Sequence, residues 1–224
     1  MGFGLVHLKA MKPHIRGRVL SLGYPDLLIT DAEAEQYFGI RPTKFTDRAV
    51  RHSMAGQIPE SREFFSLLGA ELTCVDVQKF DGVDVVADLN HPQDLGQYDL
   101  VIDPGTVEHC FNVGTAILNA ANAVKVGGSI LQGGPLSMMN HGFYNLNPTL
   151  FYDLYTQNGW DVKINIVDSD GRYGPVPAVQ RFKVAPECSL LVLATRKSDA
   201  ALRLPVQTKY LKGITGAEHE RIAA

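Results

Sequence analysis

The sequence predicts an α/β fold built on a doubly wound, mostly parallel sheet. Three observations carry that prediction. Short apolar runs of strand length alternate with helical spacings from residue 18 to residue 158. Three successive runs stop at a carboxylate, Asp76, Asp88 and Asp103, as expected where strands deliver polar groups to the working edge of an open sheet. Beyond residue 159 two strand-like runs follow with no helix between them, which predicts one antiparallel member near an edge.

Composition narrows the class. The 224 residues are 45% hydrophobic and 20% charged, ordinary values for a globular chain long enough for a full core. Net charge is −3 with no Lys/Arg block, so no nucleic-acid partner is expected. Cys74, Cys110 and Cys188 are far apart and form no CxxC, which suggests a reducing compartment. No signal-peptide core and no apolar run of membrane-spanning length is present. These features predict a cytoplasmic protein with no membrane partner; a homo-oligomer is left open, and a small-molecule substrate is expected only with the family resemblance given below. One domain is expected over residues 1–196, with an insert at about 27–59, followed by a C-terminal tail over 197–224.

Taken in order, residues 1–16 read as an arm or short helix, and Arg18 to Gly23 as the first strand. Tyr24-Pro25-Asp26 signals a turn, since proline fixes φ and aspartate bonds nearby backbone. Asp31 is placed to cap a short helix through Phe38. Residues 40–59 carry Arg41, Lys44, Arg48, Arg51 and His52 without clear periodicity; they read as a solvated face or as a mobile lid over an anionic substrate. Helical spacing over 60–68 stops at Gly69. Strands are expected at 71–76, 83–87 and 100–102, the last turned by Pro104-Gly105. A helix over 111–124 ends at Gly127-Gly128, before a strand at 129–132. Asn147-Pro148 opens the next helix, with proline at its first position, and Asn158-Gly159 stops it. Strands at 160–167 and 189–195 complete the set, joined by a loop whose Arg172, Tyr173 and Arg181 are candidates for substrate selection.

The acidic series Asp76, Asp88, Asp103, with Glu108-His109 leading into a helix, resembles the class I S-adenosylmethionine-dependent methyltransferase family. The family's Rossmann-like sheet has seven strands, the last antiparallel, and the resemblance covers roughly residues 17–196. It implies S-adenosylmethionine as cofactor. By position, Asp76 would bind the ribose hydroxyls, Asp88 the adenine amino group with Leu89 against the ring, and Asp103 to His109 would flank the methionine part. The chain departs from the family in the first loop, Ser21-Leu22-Gly23-Tyr24-Pro25-Asp26-Leu27, where only the first glycine, Gly23, remains. Tyr24 adds bulk and Pro25 removes an N–H where bare backbone would approach the cofactor. Either the cofactor is held in an altered way, with Asp26 helping, or the chain is a non-catalytic binding or assembly subunit. A third reading is other chemistry on the same fold.

Methyl transfer depends mainly on proximity, and needs a base only when the acceptor is protonated. His141, in Met138-Met139-Asn140-His141-Gly142-Phe143-Tyr144 after the fifth strand, is the first candidate as base or substrate hydrogen-bonder. His109 and Glu108 follow. Both histidines are equally suited to fixing their loops through backbone carbonyls. His141, His109 and Asp103 lack tight ligand spacing such as HxxxH, so no metal is expected. Met138-Met139 reads as core packing.

Overall fold

The computed structural model describes residues 2–52, 56–177 and 180–211, without the side chains of residues 49–51. The side chain of Arg51 and the expected tail beyond residue 211 therefore lie outside the described residues. Eight strands form the main sheet: β1 (Gly17–Leu22), β2 (Ala70–Asp76), β3 (Val85–Val86), β4 (Tyr98–Pro104), β5 (Val124–Pro135), β6 (Asp161–Val167), β7 (Tyr173–Pro175) and β8 (Ser189–Thr195). Their order is β7-β6-β8-β5-β4-β1-β2-β3. Pairings from β3 to β5 are parallel, and β8 is antiparallel to both β5 and β6. The predicted fold class holds. The short edge strand β7 is an eighth member, which the residue 168–187 loop supplies by turning back on β6.

Strand alternation explains the layers. Leu100 and Ile102 face one side of β4 and Val101 the other, and each joins a different cluster of buried side chains. On the first side pack helices α1 (Leu5–Met11) and α2 (Ser61–Leu67), through Leu8, Met11, Phe64 and Phe65. On the second side pack α3 (Val113–Asn122) and α4 (Pro148–Gln157), through Ala116, Ala120, Phe151 and Leu154. Full burial of one such Leu or Phe contributes about 1.5–3 kcal/mol, so this alternation sets the register of the central strands.

The helix ends are capped by side chains. Glu60 accepts from the amides of Arg62 and Glu63 at 3.0 and 2.9 Å to start α2. Asn147 accepts from Thr149 N at 3.0 Å ahead of Pro148. In the insert, the cap is Thr30 and not Asp31: Thr30 and Glu33 form a reciprocal capping box at the head of Asp31–Glu33. The insert is also less loop-like than its sequence suggests. Asp26–Leu28 pairs in parallel with Gly2–Gly4, and Ile29, Ala34 and Phe38 are buried in the core.

Gly127-Gly128 does not stop a helix. α3 ends at Asn122, and both glycines lie inside β5, where pairing with β4 shifts register. Gly127 has φ 78°. A Cβ on Gly128 would come within 2.9 Å of Asp99 O and 3.0 Å of Lys125 O, so backbone passes backbone there. The first part of the expected tail lies along α4: Thr208 N donates to Asp153 Oδ2 at 3.1 Å, and Val206 N to Gln157 Oε1 at 3.0 Å. No helix among the described residues is long and apolar enough to cross a membrane.

Candidate functional site

Strand order reverses between β1 and β4, because β2 and β3 extend to one side and β5 to the other. Such a switch point opens a crevice beyond the C-terminal ends of the strands. Two cavities lie at that edge. The smaller, of about 240 Å³, is lined by Val75, Asp76, Ala87, Asp88, Leu89, Thr106, His109 and Cys110, among others. The larger, of about 400 Å³, is lined by the loops after β4 and β5 and by Phe3, His7 and His52. His109 borders both.

The smaller cavity gathers Asp76, Asp88 and Leu89, as the strand positions predicted. Asp88 Oδ1 takes bonds from Asn90 N and Nδ2 at 2.9 and 2.8 Å, which fix the carboxylate and hold its pKa below the usual range. Asp76 Oδ1 accepts from Gln78 N at 3.1 Å. Val75, Val77, Ala87 and Leu89 supply an apolar wall. Two carboxylates beside an apolar slot suit a nucleoside, whose hydroxyls and amino group donate and whose ring needs cover.

Gly23, Asp26 and Asp103 stand elsewhere. Gly23, at φ 79°, donates its N–H to Val75 O at 2.6 Å and turns the chain. Tyr24 does not enter the smaller cavity: its ring packs against Gly82 and its hydroxyl bonds Glu60. Asp26 is buried in an ion pair, with Arg48 Nε at 2.7 Å and His52 Nε2 at 2.9 Å. Asp103 is fully buried and closes the turn after β4, its Oδ1 accepting from Gly105 N at 3.3 Å and Thr106 N at 2.8 Å. Burial pushes its pKa up, and those amides pull partly back.

Glu108 lies on the single helical turn Val107–His109 that follows, and its side chain is only 1% exposed. Burial, then the charge of Asp103, raises its pKa. Neither carboxylate oxygen has a hydrogen-bond partner among the described residues. The loop after β5 closes over this turn. Phe143 N donates to Glu108 O at 2.9 Å, and Tyr144 hydroxyl to Phe111 O at 2.8 Å. Gly142 permits the approach, since a Cβ there would meet Glu108 O at 2.9 Å and His109 Nδ1 at 3.2 Å. Tyr144 thus braces the loop and is not among the cavity's lining residues.

This zipper brings the three catalytic candidates together. His141 Nε2 stands 3.5 Å and His109 Nε2 4.0 Å from Glu108 Oε1. Each histidine side chain is 46% exposed, and the ring centroids are 5.4 Å apart. Burial, then His141, lowers the His109 pKa. Met138 lines the cavity and Met139 is 75% exposed, so neither is core. Arg172 pairs with Asp170 at 3.3 Å on the far edge, and Arg181 lines a different cavity. His7 escaped the sequence reading. It is stacked on Phe3 with centroids 5.2 Å apart, and burial lowers its pKa to about 4. No periodicity marks it, because Gly2–Gly4 reaches the site only by pairing with Asp26–Leu28.

No protein-family profile matches the chain, and no curated protein does. Among solved structures the chain is similar to TehB from Haemophilus influenzae, at 15% identity and TM-score 0.47, covering 85% of this chain and 61% of that one. It is also similar to the DhpI–SAH complex, at 16% identity and TM-score 0.46, covering 86% and 83%. A third is the N-methyltransferase NodS from Bradyrhizobium japonicum WM9, at 13% identity and TM-score 0.41, covering 85% and 94%. The chain thus spans about three fifths of the TehB chain.

Proposed function

We propose that the protein is an S-adenosylmethionine-dependent methyltransferase acting on a small hydroxylated acceptor, such as a sugar, in the cytoplasm. The observation that carries this reading is the adjacency of the two cavities. A nucleoside-sized, acid-lined slot shares His109 with a second cavity bearing Glu108 and His141. The cofactor, when bound, supplies an electrophilic methyl group on a sulfonium. Asp76 and Asp88 accept from its ribose and adenine, and Leu89 covers the ring. On the other side His141 offers a nitrogen lone pair to the acceptor's hydroxyl, with Glu108 behind it. His109 separates the two compartments and orients what lies in each. Phe3, Met138 and Pro135 give the second cavity an apolar wall beside the reacting groups. The free thiols Cys74, Cys110 and Cys188 fit a reducing compartment.

Calorimetry with S-adenosylmethionine and S-adenosylhomocysteine tests the reading. Charge-assisted bonds contribute roughly 1.5–3 kcal/mol each, so Asp76→Ala weakens S-adenosylhomocysteine by at least about tenfold. Unchanged affinity in the folded variant removes Asp76 from the ribose site. A wild-type protein that binds neither compound favours the other reading, a binding or assembly subunit. One observation supports that alternative: the first loop gives up an N–H at Pro25 and commits Asp26 to Arg48 and His52.

A further inference from the structure

We propose that Glu108, His109 and His141 form a binding site for a divalent transition-metal ion of the zinc class, open toward the larger cavity. The donor set is two imidazoles and one carboxylate, a combination that zinc and its neighbours take and that magnesium or calcium, which demand oxygen ligands, do not. One ligand atom from each residue lies within 4.8 Å of the other two. Around a tetrahedral ion with bonds of about 2.0–2.2 Å, ligand atoms stand roughly 3.3–3.5 Å apart. The 3.5 Å between His141 Nε2 and Glu108 Oε1 meets that spacing already. The 4.0 Å from His109 Nε2 needs only a small inward turn of a half-exposed ring.

A second observation points the same way. Both oxygens of Glu108 are buried without a hydrogen-bond donor among the described residues. A carboxylate so placed is costly unless something compensates it. Two imidazole nitrogens are among the groups that face it, and a cation between the three side chains would be held by all of them. The scaffold is built before any ion arrives: Phe143 N to Glu108 O locks the loop of His141 onto the turn of Glu108 and His109. A side chain at Gly105 would press on Glu108, its Cβ lying 3.0 Å from Oε1. Three protein ligands leave at least one position free, the arrangement of catalytic rather than structural zinc. Adjacent Glu108-His109 with His141 a whole strand away gives no spacing motif, which is why the sequence pointed to no metal.

The site stands on geometry alone; only its role rests on the methyl-transfer reading, in which, with the ion bound, His141 serves as its ligand and no longer as the base, an acceptor oxygen takes the free position, and the ion favours loss of the acceptor's proton to solvent. The test uses untagged, chelator-treated full-length protein titrated with Co²⁺, then displaced with Zn²⁺. One Co²⁺ per chain is expected, with the visible absorption bands of a low-coordinate ion. Glu108→Gln, His109→Gln and His141→Gln should each weaken uptake at least about tenfold, while His91→Gln, outside the cluster, leaves it unchanged. The two half-exposed histidines can be replaced without emptying the core, so those variants remain informative if Glu108→Gln fails to fold. Absence of stoichiometric uptake, or uptake indifferent to His109→Gln and His141→Gln, overturns the proposal. Calorimetry with S-adenosylhomocysteine on the same samples separates the two readings. Ion uptake without nucleoside binding supports the metal site and removes the methyltransferase, and the reverse overturns the metal site alone.

Discussion

His7 and His141 share one cavity but differ in what surrounds them. His7 is held neutral, because burial lowers its pKa from 6.5 to about 4. The unfolded chain takes up the proton as pH falls below 6.5, whereas the native state refuses it until about 4. Its contribution to stability is therefore complete above that range and is lost on acidification, by about 3 kcal/mol in all. Urea denaturation between about pH 7.5 and 4.5 should show a shallower acid loss in His7→Gln than in the parent. An identical slope would mean that His7 is solvated in the native state. His141 is half exposed, and in the proposed reaction it acts on the acceptor. His141→Ala should lower turnover by about 10² to 10⁴ and leave S-adenosylhomocysteine affinity within about threefold, because His141 does not line the smaller cavity. Steady-state kinetics and calorimetry on one preparation check both halves, and parental turnover would make His141 a loop-fixing residue.

At the scale of elements, β5 carries the clearest test of local geometry. Gly128→Ala forces a methyl against three carbonyl oxygens, of Asp99, Lys125 and Tyr98, all within about 3.1 Å. Overpacking of this kind costs about 1–3 kcal/mol, measurable as a lower denaturation midpoint. A variant as stable as the parent would show that the crossing can relax. The same strand shows where sequence reading succeeds and fails. Asn147-Pro148 and Gly159 marked both ends of α4 because capping and left-handed turns are local events. Gly127-Gly128 misled because a helix stop and a strand bulge ask the same freedom of glycine, and only the neighbouring strand decides between them. The insert misled for a related reason. Ile29, Ala34 and Phe38 are spaced for no regular period, and they are buried in a core shared with distant elements, Phe38 edge-on to Phe64 at 5.2 Å.

For the molecule as a whole, the legible part was what the sheet's edge dictates. Asp76, Asp88 and Leu89 converge because strands β2 and β3 end side by side, and strand ends are visible in sequence. The cluster of Glu108, His109 and His141 was legible as separate candidates but not as one centre, since its assembly depends on the bond from Phe143 N to Glu108 O. The walls contributed by Phe3 and His7 were not legible at all, and His52 was legible only as part of the lid read over residues 40–59. They also set a condition on how the protein comes into being. Gly2 and Ser189 border the same cavity, so its two sides leave the ribosome far apart in time. At about 5–20 residues per second, Gly2 waits roughly ten to forty seconds for the residue that will face it. A nascent chain halted after α4 already holds both histidines and their carboxylate, yet has only a trough open along one flank. The cavity is therefore closed only once β8 has been made.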